Sequence, residues 1–447
     1  MKQRCSMRLL AFLLPLFFLF LALPACIAGA QTPASTGTVS EFEVNGLKVI
    51  LKQRPGTQTV AGGIFVRGGT SNVTAANAGI ENLLLNVASD GSARYPRTAL
   101  RAEMARMGST IGYSTSYDYS VISMACTREH FDHTWEIFID AALRPSLLLA
   151  DVELEKQRII AGLKGEEVTP DGLLQASLAR MVYAGHPYAV NPDGTPETVA
   201  KLTPADLKQY HQKIMQTSHL LLVIVGDLDM YSLKSRVTAA FATLSRGDYK
   251  AVPLPLLKFN AAHADVVPRT LPSNYVTGVF GGPAFGSADF TAMQVASNIL
   301  QDRVFSEVRI KRNLSYAPVA FVRSQGASLG GIYVTAVDVN QTAGIMLKEV
   351  TKIKTETVDA DTLSAVVAQF VTQYYLDNET SAAQGGALAR YELMGGGWRN
   401  AETLLERLRA VTPADVQRVS KQYMHNFQFI VVGDEKAVNK QVLTTDP

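Results

Sequence analysis

Cysteine, tryptophan, histidine and charge are all sparse in this chain, and each scarcity excludes something. Only three cysteines stand in 447 residues, Cys5, Cys26 and Cys126. The first two fall in an N-terminal segment expected to be removed, so the remainder holds Cys126 alone and forms no internal disulfide. Stability must then come from core burial, which a chain of this length can supply. Charged residues make up only 18% and nearly cancel, leaving a net charge of +2. That balance excludes the basic surface of a dedicated nucleic-acid binder. The seven histidines are mostly scattered, and no nucleophile–base motif stands out. A hydrophobic content of 47% excludes disorder and implies a folded protein of two or three domains.

What is present begins with a targeting segment. Lys2, Arg4 and Arg8 precede an apolar run from Leu9 to Leu23, and Ala28-Gly29-Ala30 fits a secretory cleavage site. Residues 1–30 are therefore expected to be a signal peptide cleaved near Ala30. Leu23-Pro24-Ala25-Cys26 also fits a lipobox, in which case Cys26 carries lipid and tethers the protein to a membrane. An uncleaved anchor is a third reading, for which the apolar run is short.

The mature chain opens with a hairpin signature at Phe42–Leu51, Asn45-Gly46 forming the turn. A strand is expected at Val60–Arg67 and helices near Ala75–Ser89 and Thr98–Met107. Strands at Thr110–Ser116 and Tyr119–Thr127 follow. Helical pattern then runs from Glu129 to about Gly185, with breaks expected near Ala150-Asp151 and Thr169-Pro170. His186-Pro187-Tyr188 reads as a structured loop. One unit occurs twice. Thr203-Pro204-Ala205-Asp206 caps a helix that leads to the strand Leu220–Val225 and Gly226-Asp227. Thr412-Pro413-Ala414-Asp415 caps another that leads to Phe429–Val432 and Gly433-Asp434, with the two caps 209 residues apart. A repeat of that size is a duplicated domain. Domains are expected at 37–246 and 263–447, joined by a proline-containing linker at 247–262. The order of strands and helices in each half is that of an α+β fold with a mainly antiparallel sheet.

The site candidates centre on Gly79–Ala88. Ile80, Leu83, Leu84 and Val87 give one apolar helical face, and Asn82 and Asn86 sit one turn apart. Two imidazoles at that spacing bind zinc, and a carboxylate beside them takes a proton from its water. With Gly108–Tyr119, this stretch resembles the insulinase/pitrilysin family of zinc peptidases. The resemblance implies a clamshell of two homologous domains. It also implies that Asn82 and Asn86 occupy the histidine positions, Leu85 the glutamate position and Gly162 the third ligand position. An Asn amide is a poor zinc ligand, and Leu and Gly supply none, so no metal is expected in this chain. Gly108–Thr115 matches the strand beside the metal site in active relatives, where it pairs with substrate; Gly112 replaces their usual Asn, and the run reads as an ordinary sheet strand that has kept its shape.

In the second half, Arg303–Tyr316 resembles a family signature whose Arg and Tyr hydrogen-bond the substrate backbone and stabilise oxyanion charge. Arg309 and Tyr316 match those positions, and a guanidinium with a phenol suits that chemistry. The plain alternative makes Arg309 a helix-terminal cation and Tyr316 half-buried strand filler. A glycine-rich loop, found in some zinc-less subunits of the family, would fall between Leu300 and Arg303, where only Gln301-Asp302 stand. Gly395-Gly396-Gly397-Trp398 reads as a helix stop. His130 and His133, with Glu129 and Glu136, form a His-x-x-His pattern on a predicted helix, read as a solvated face without a third ligand.

Together these features imply a non-catalytic subunit of an exported, periplasmic peptidase. Its expected partner is a zinc-bearing homologue, to which it would lend Arg309, Tyr316 and half of a peptide chamber. A structural or peptide-binding scaffold is the alternative, and an autonomous enzyme using an unrecognised site such as His130/His133 is a further one.

Overall fold

Two sheets of the same topology carry the molecule. The computed structural model describes residues 37–447, and the signal-peptide and Cys26 readings lie outside them. The first sheet comprises β1 (Val39–Val44), β2 (Leu47–Gln53), β3 (Thr59–Arg67), β4 (Thr110–Thr115), β5 (Tyr119–Thr127) and β6 (Leu220–Gly226). Its order is β1-β2-β6-β3-β5-β4, antiparallel throughout except for β2 beside β6. The second comprises β7 (His263–Pro268), β8 (Asn274–Gly281), β9 (Val319–Val322), β10 (Leu329–Ala336) and β11 (Gln428–Gly433). Its order is β7-β11-β8-β10-β9, with β7 parallel to β11. Without β1, the first order reproduces the second strand for strand. The repeat read in the sequence is thus a repeat of topology.

Its caps repeat in atomic detail. The Thr203 hydroxyl accepts from the Asp206 amide while the Asp206 carboxylate accepts from the Thr203 amide, and Thr412 and Asp415 do the same. Each pair satisfies two donors that the first helical turn leaves without partners, and the following proline has no N–H to lose.

Why β6 and β11 read as unbroken apolar runs is explained by what covers them. Side chains alternate across a strand, so a sheet open to water on one face shows alternating polarity. In β6, Leu220, Leu222 and Ile224 join the core of their own half, whereas Leu221, Val223 and Val225 pack against Leu388, Ala389 and Tyr391. Those belong to the helix Ser381–Met394 of the other half. Reciprocally, Ile430 and Val432 of β11 pack with Leu174, Leu178 and Val182 on the helix Pro170–Val182 of the first half. Each half therefore lends a helix to its neighbour's sheet. Gly385 lets one of these helices lie flush, since a Cβ there would stand 3.3 Å from the Val225 side chain. Polar ties add to the exchange: Trp398 Nε1 donates to Glu41 (2.6 Å) and Tyr333 Oη to Asp171 (2.7 Å). Residues Gly37–Pro447 accordingly form one compact unit.

Two boundaries differ from expectation. The helix near residue 80 runs from Ile80 to Asp90, because residues 69–72 and 75–77 are short 3₁₀ turns. The first break in the long helical region falls at 144–148 instead of 150–151. There Pro145 bridges to Ser92 and Leu147 adopts φ 47°, and the next helix runs unbroken from Leu149 to Val168.

Candidate functional site

The helix Ile80–Asp90 is held by its apolar face, with Ile80, Leu83, Leu84 and Val87 all buried. Gly79 starts it with φ 85°, and a Cβ there would come within 2.8 Å of the Asp193 carbonyl. That close approach sets the loop 191–194 against the first helical turn. Asn82 Nδ2 then donates to Asp193 Oδ1 (3.0 Å), which also accepts from Thr115 Oγ1 at the end of β4 (3.2 Å). Burial raises the Asp193 pKa, and the Thr115 bond offsets only part of that rise.

The positions compared with a zinc site thus have other uses. Asn82 is buried and engaged, and Leu85 is only 1% exposed. Asn86 is half-buried on the same face. Gly162 is exposed on the helix Leu149–Val168 with nothing within 4 Å of where a Cβ would be. Among the described residues, no three His, Cys, Asp or Glu side chains are placed to hold a metal ion. Glu155, buried on the same helix as Gly162, is committed to Arg97 and Arg158 (both 2.8 Å). Zinc does not fit this donor set.

The neighbouring Glu81 escaped the sequence reading. It is 5% exposed, accepts from Tyr210 Oη (2.5 Å) and Asn72 Nδ2 (3.5 Å), and leaves Oε1 without a partner. Burial drives its pKa up. Tyr210 lies 129 positions away, so no local pattern could have linked the two.

In the second half the helix Ala288–Val304 passes into a π-helical turn, Phe305–Ile310. Such turns bulge the backbone and re-aim side chains. Val308 anchors the turn in the core, while Phe305 and Ile310 are exposed. Leu314 N reaches back to Val308 O, and Asn313 reverses the chain with φ 49°. This brings Arg309 over the Tyr316 ring, 4.9 Å from its centroid. Arg309 also donates to Asn313 Oδ1. Glu307 binds Lys311 and Arg312 instead, and those two cations hold its carboxyl at about 2. Tyr316 is 79% exposed in a loop, which overturns the half-buried strand reading of that residue. The guanidinium and phenol are presented together, facing outward. Among the described residues, no hydrogen bond or ion pair joins them to Asn82, Asn86 or Asp193.

The remaining candidates resolve into structure. Gln301 stitches helix to strand: its Nε2 donates to Pro318 O and its Oε1 accepts from Ala320 N. A glycine-rich loop has no place there. Gly395 ends a helix with its amide on Tyr391 O, and Gly396 and Gly397 are left-handed. His130 is the cap preceding the helix Phe131–Leu143 and not part of it, while His133 meets Glu103 (3.0 Å). The paired His-x-x-His face therefore does not form. His186 caps its own loop and contacts Pro255 O. Strand β4 is an edge of its sheet, bonded to β5 only.

Fold and site together define a class: a duplicated α+β chain built on a zinc-peptidase plan whose metal positions carry no ligands. Comparison with known proteins places it within a family. The model for the insulinase family (peptidase family M16) matches residues 48–191, and that for the peptidase M16 inactive domain matches residues 201–370. The chain belongs to the insulinase, or M16, peptidase family. It is similar to an uncharacterized zinc protease of Bacillus subtilis, 20% identical over 85% of this chain and 93% of that one. It is also 21% identical to the mitochondrial-processing peptidase subunit beta of Lentinula edodes (89% and 90% covered). Cytochrome b-c1 complex subunit 1 of Caenorhabditis elegans is 20% identical (87% and 86%). Among solved structures, a protease from Helicobacter pylori aligns with TM-score 0.80 at 18% identity, covering 89% of this chain and all of that one. A peptidase M16 inactive domain from Pseudomonas fluorescens gives the same score and identity, covering 89% and 98%.

Proposed function

We propose that this chain is the non-catalytic subunit of an exported, periplasmic M16 peptidase, pairing with a zinc-bearing homologue. In that complex Arg309 and Tyr316 hydrogen-bond the substrate backbone and meet the negative charge that develops on the attacked carbonyl. The first half adds a wall of the peptide chamber. One observation carries the reading: Arg309 and Tyr316 are assembled by a π-helical turn and turned outward, and among the described residues Arg309 has no carboxylate partner and no donor set for zinc is found. Preorganised donors at a developing oxyanion are each worth about 10²–10³ in turnover.

The test is peptide hydrolysis by the complex from its own host. Arg309→Ala should cut kcat by about 100-fold and Tyr316→Phe by tenfold or more, with the complex intact on native mass spectrometry. Unchanged turnover in both variants would remove the basis for the proposal. The similarity to a cytochrome b-c1 complex subunit supports a second reading, a structural scaffold. It predicts an assembly containing no zinc-bearing homologue, which the same mass spectra would reveal.

A further inference from the structure

The cavity where the two halves meet the coil between them contains an arginine without a counter-ion. Arg67 closes β3 and lines this cavity of ≈ 370 Å³. Among the described residues no carboxylate pairs with its guanidinium, and no carbonyl or side chain accepts from it. Glu392 acts on it only through space, being taken up by Lys48 (2.8 Å) and the Trp398 amide (3.1 Å). A guanidinium cannot lose its proton at ordinary pH, and a half-buried one without a partner is costly.

The surrounding groups extend the same chemistry. Tyr249 lines the cavity and is held by stacking on His219, 4.1 Å between centroids. Its hydroxyl has no hydrogen-bond partner among the described residues, so it is free to donate. Asp118 is the one carboxylate in the lining, and it is already satisfied by Tyr188 Oη and Gly326 N. The lining also includes the apolar side chains of Leu254, Leu256 and Met394. The cavity thus offers a single positive charge with a phenol donor, and hydrocarbon surface beside them. A doubly charged phosphate would leave one charge uncompensated beside Asp118; a monocarboxylate would not.

We propose that this cavity binds a small organic carboxylate with an apolar body, its oxygens bridging Arg67 and Tyr249. The ligand is either a free acid or the C-terminus of a short peptide. The site is independent of Arg309 and Tyr316, so its test stands or falls separately from the proposed subunit role. Titration calorimetry of the full chain with 3-phenylpropionate, the dipeptide Leu-Phe and its C-terminal amide separates the cases. Binding of both acids supports the shared chemistry. Binding of Leu-Phe alone identifies a peptide terminus, and of phenylpropionate alone a free acid. Where Leu-Phe binds, its amide should bind at least tenfold more weakly, and in every case Arg67→Met should lose about 10- to 100-fold for the acid that binds. Tyr249→Phe keeps the stack and should lose severalfold, which preserves the test should Arg67→Met fail to fold. Equal binding of acid and amide, an unaffected Arg67→Met, or no binding of any probe at millimolar concentration overturns the proposal.

Discussion

Replacing Glu81 by Gln should stabilise the folded chain near neutral pH and leave it no better at acid pH. Glu81 sits in the first turn of the site helix, 5% exposed, with Tyr210 and Asn72 donating to one of its oxygens and the Ser120 hydroxyl also acting on its carboxylate. Among the described residues no cation forms an ion pair with it; Lys213 acts from a distance. Burial outweighs those contacts and raises its pKa above the ordinary 4.5. The sign follows from linkage. With the folded value above the unfolded one, the native state holds the proton more tightly. Its stabilising effect is complete below the unfolded value and is lost as pH rises through the folded value. Over that window one proton changes stability by at most about 1.4 kcal/mol per pH unit. Gln has the same shape and does not titrate. Urea unfolding of both proteins from pH 4.5 to 8 should therefore give a difference favouring Gln that grows with pH and then levels off. A difference flat in pH would mean that folding does not shift the Glu81 pKa, and one growing toward acid that the fold stabilises its ionised form; either result refutes the reasoning.

Other outcomes can be checked alongside the oxyanion-pair and cavity variants. Leu388→Ala opens a void between the helix Ser381–Met394 and β6 and should cost about 2–5 kcal/mol in urea unfolding. Leu85→Glu places a carboxylate where the side chain is 1% exposed, and should cost about 3–5 kcal/mol with a fall in the urea midpoint.

Much of the architecture was legible because local chemistry specified it. Asn45-Gly46 marks a tight hairpin turn, and the two Thr-Pro-x-Asp caps announce a duplicated unit before any strand pairing is known. The run Leu220–Val225 reads as a strand with both faces buried, yet nothing in it names the helix that covers the outer face. That helix begins 155 positions beyond the end of β6. The same limit hid the site's present wiring. Asn82 and Asp193 are 111 positions apart and Glu81 and Tyr210 are 129 apart, and periodicity has no reach at such distances. Exposure was the other blind spot. Seven positions correspond to two turns of a straight helix, which would leave Arg309 and Tyr316 about 10 Å apart along its axis. The π-turn and the reversal at Asn313 bring them into contact instead.

The positions that the resemblance compares with zinc ligands and their base are not equally open to change, and the difference bears on the proposed function. Gly162 faces open space, so a glutamate there would meet no obstruction. Asn82 is tied to Asp193, and a histidine would have to displace that bond. Leu85 is the decisive one, because its side chain is packed away from water and a working carboxylate would need that burial undone. The first half is therefore committed to packing where a metallopeptidase needs a base. The second half shows the opposite arrangement. Glu307 pairs with Lys311 and Arg312, and Arg309 is left to Asn313 and the Tyr316 ring. On the proposed reading, a chain that buries Leu85 while holding an outward-facing pair of donors serves as one half of a shared site. That reading predicts that Arg309 and Tyr316 act on turnover in the proposed complex and not in the isolated chain.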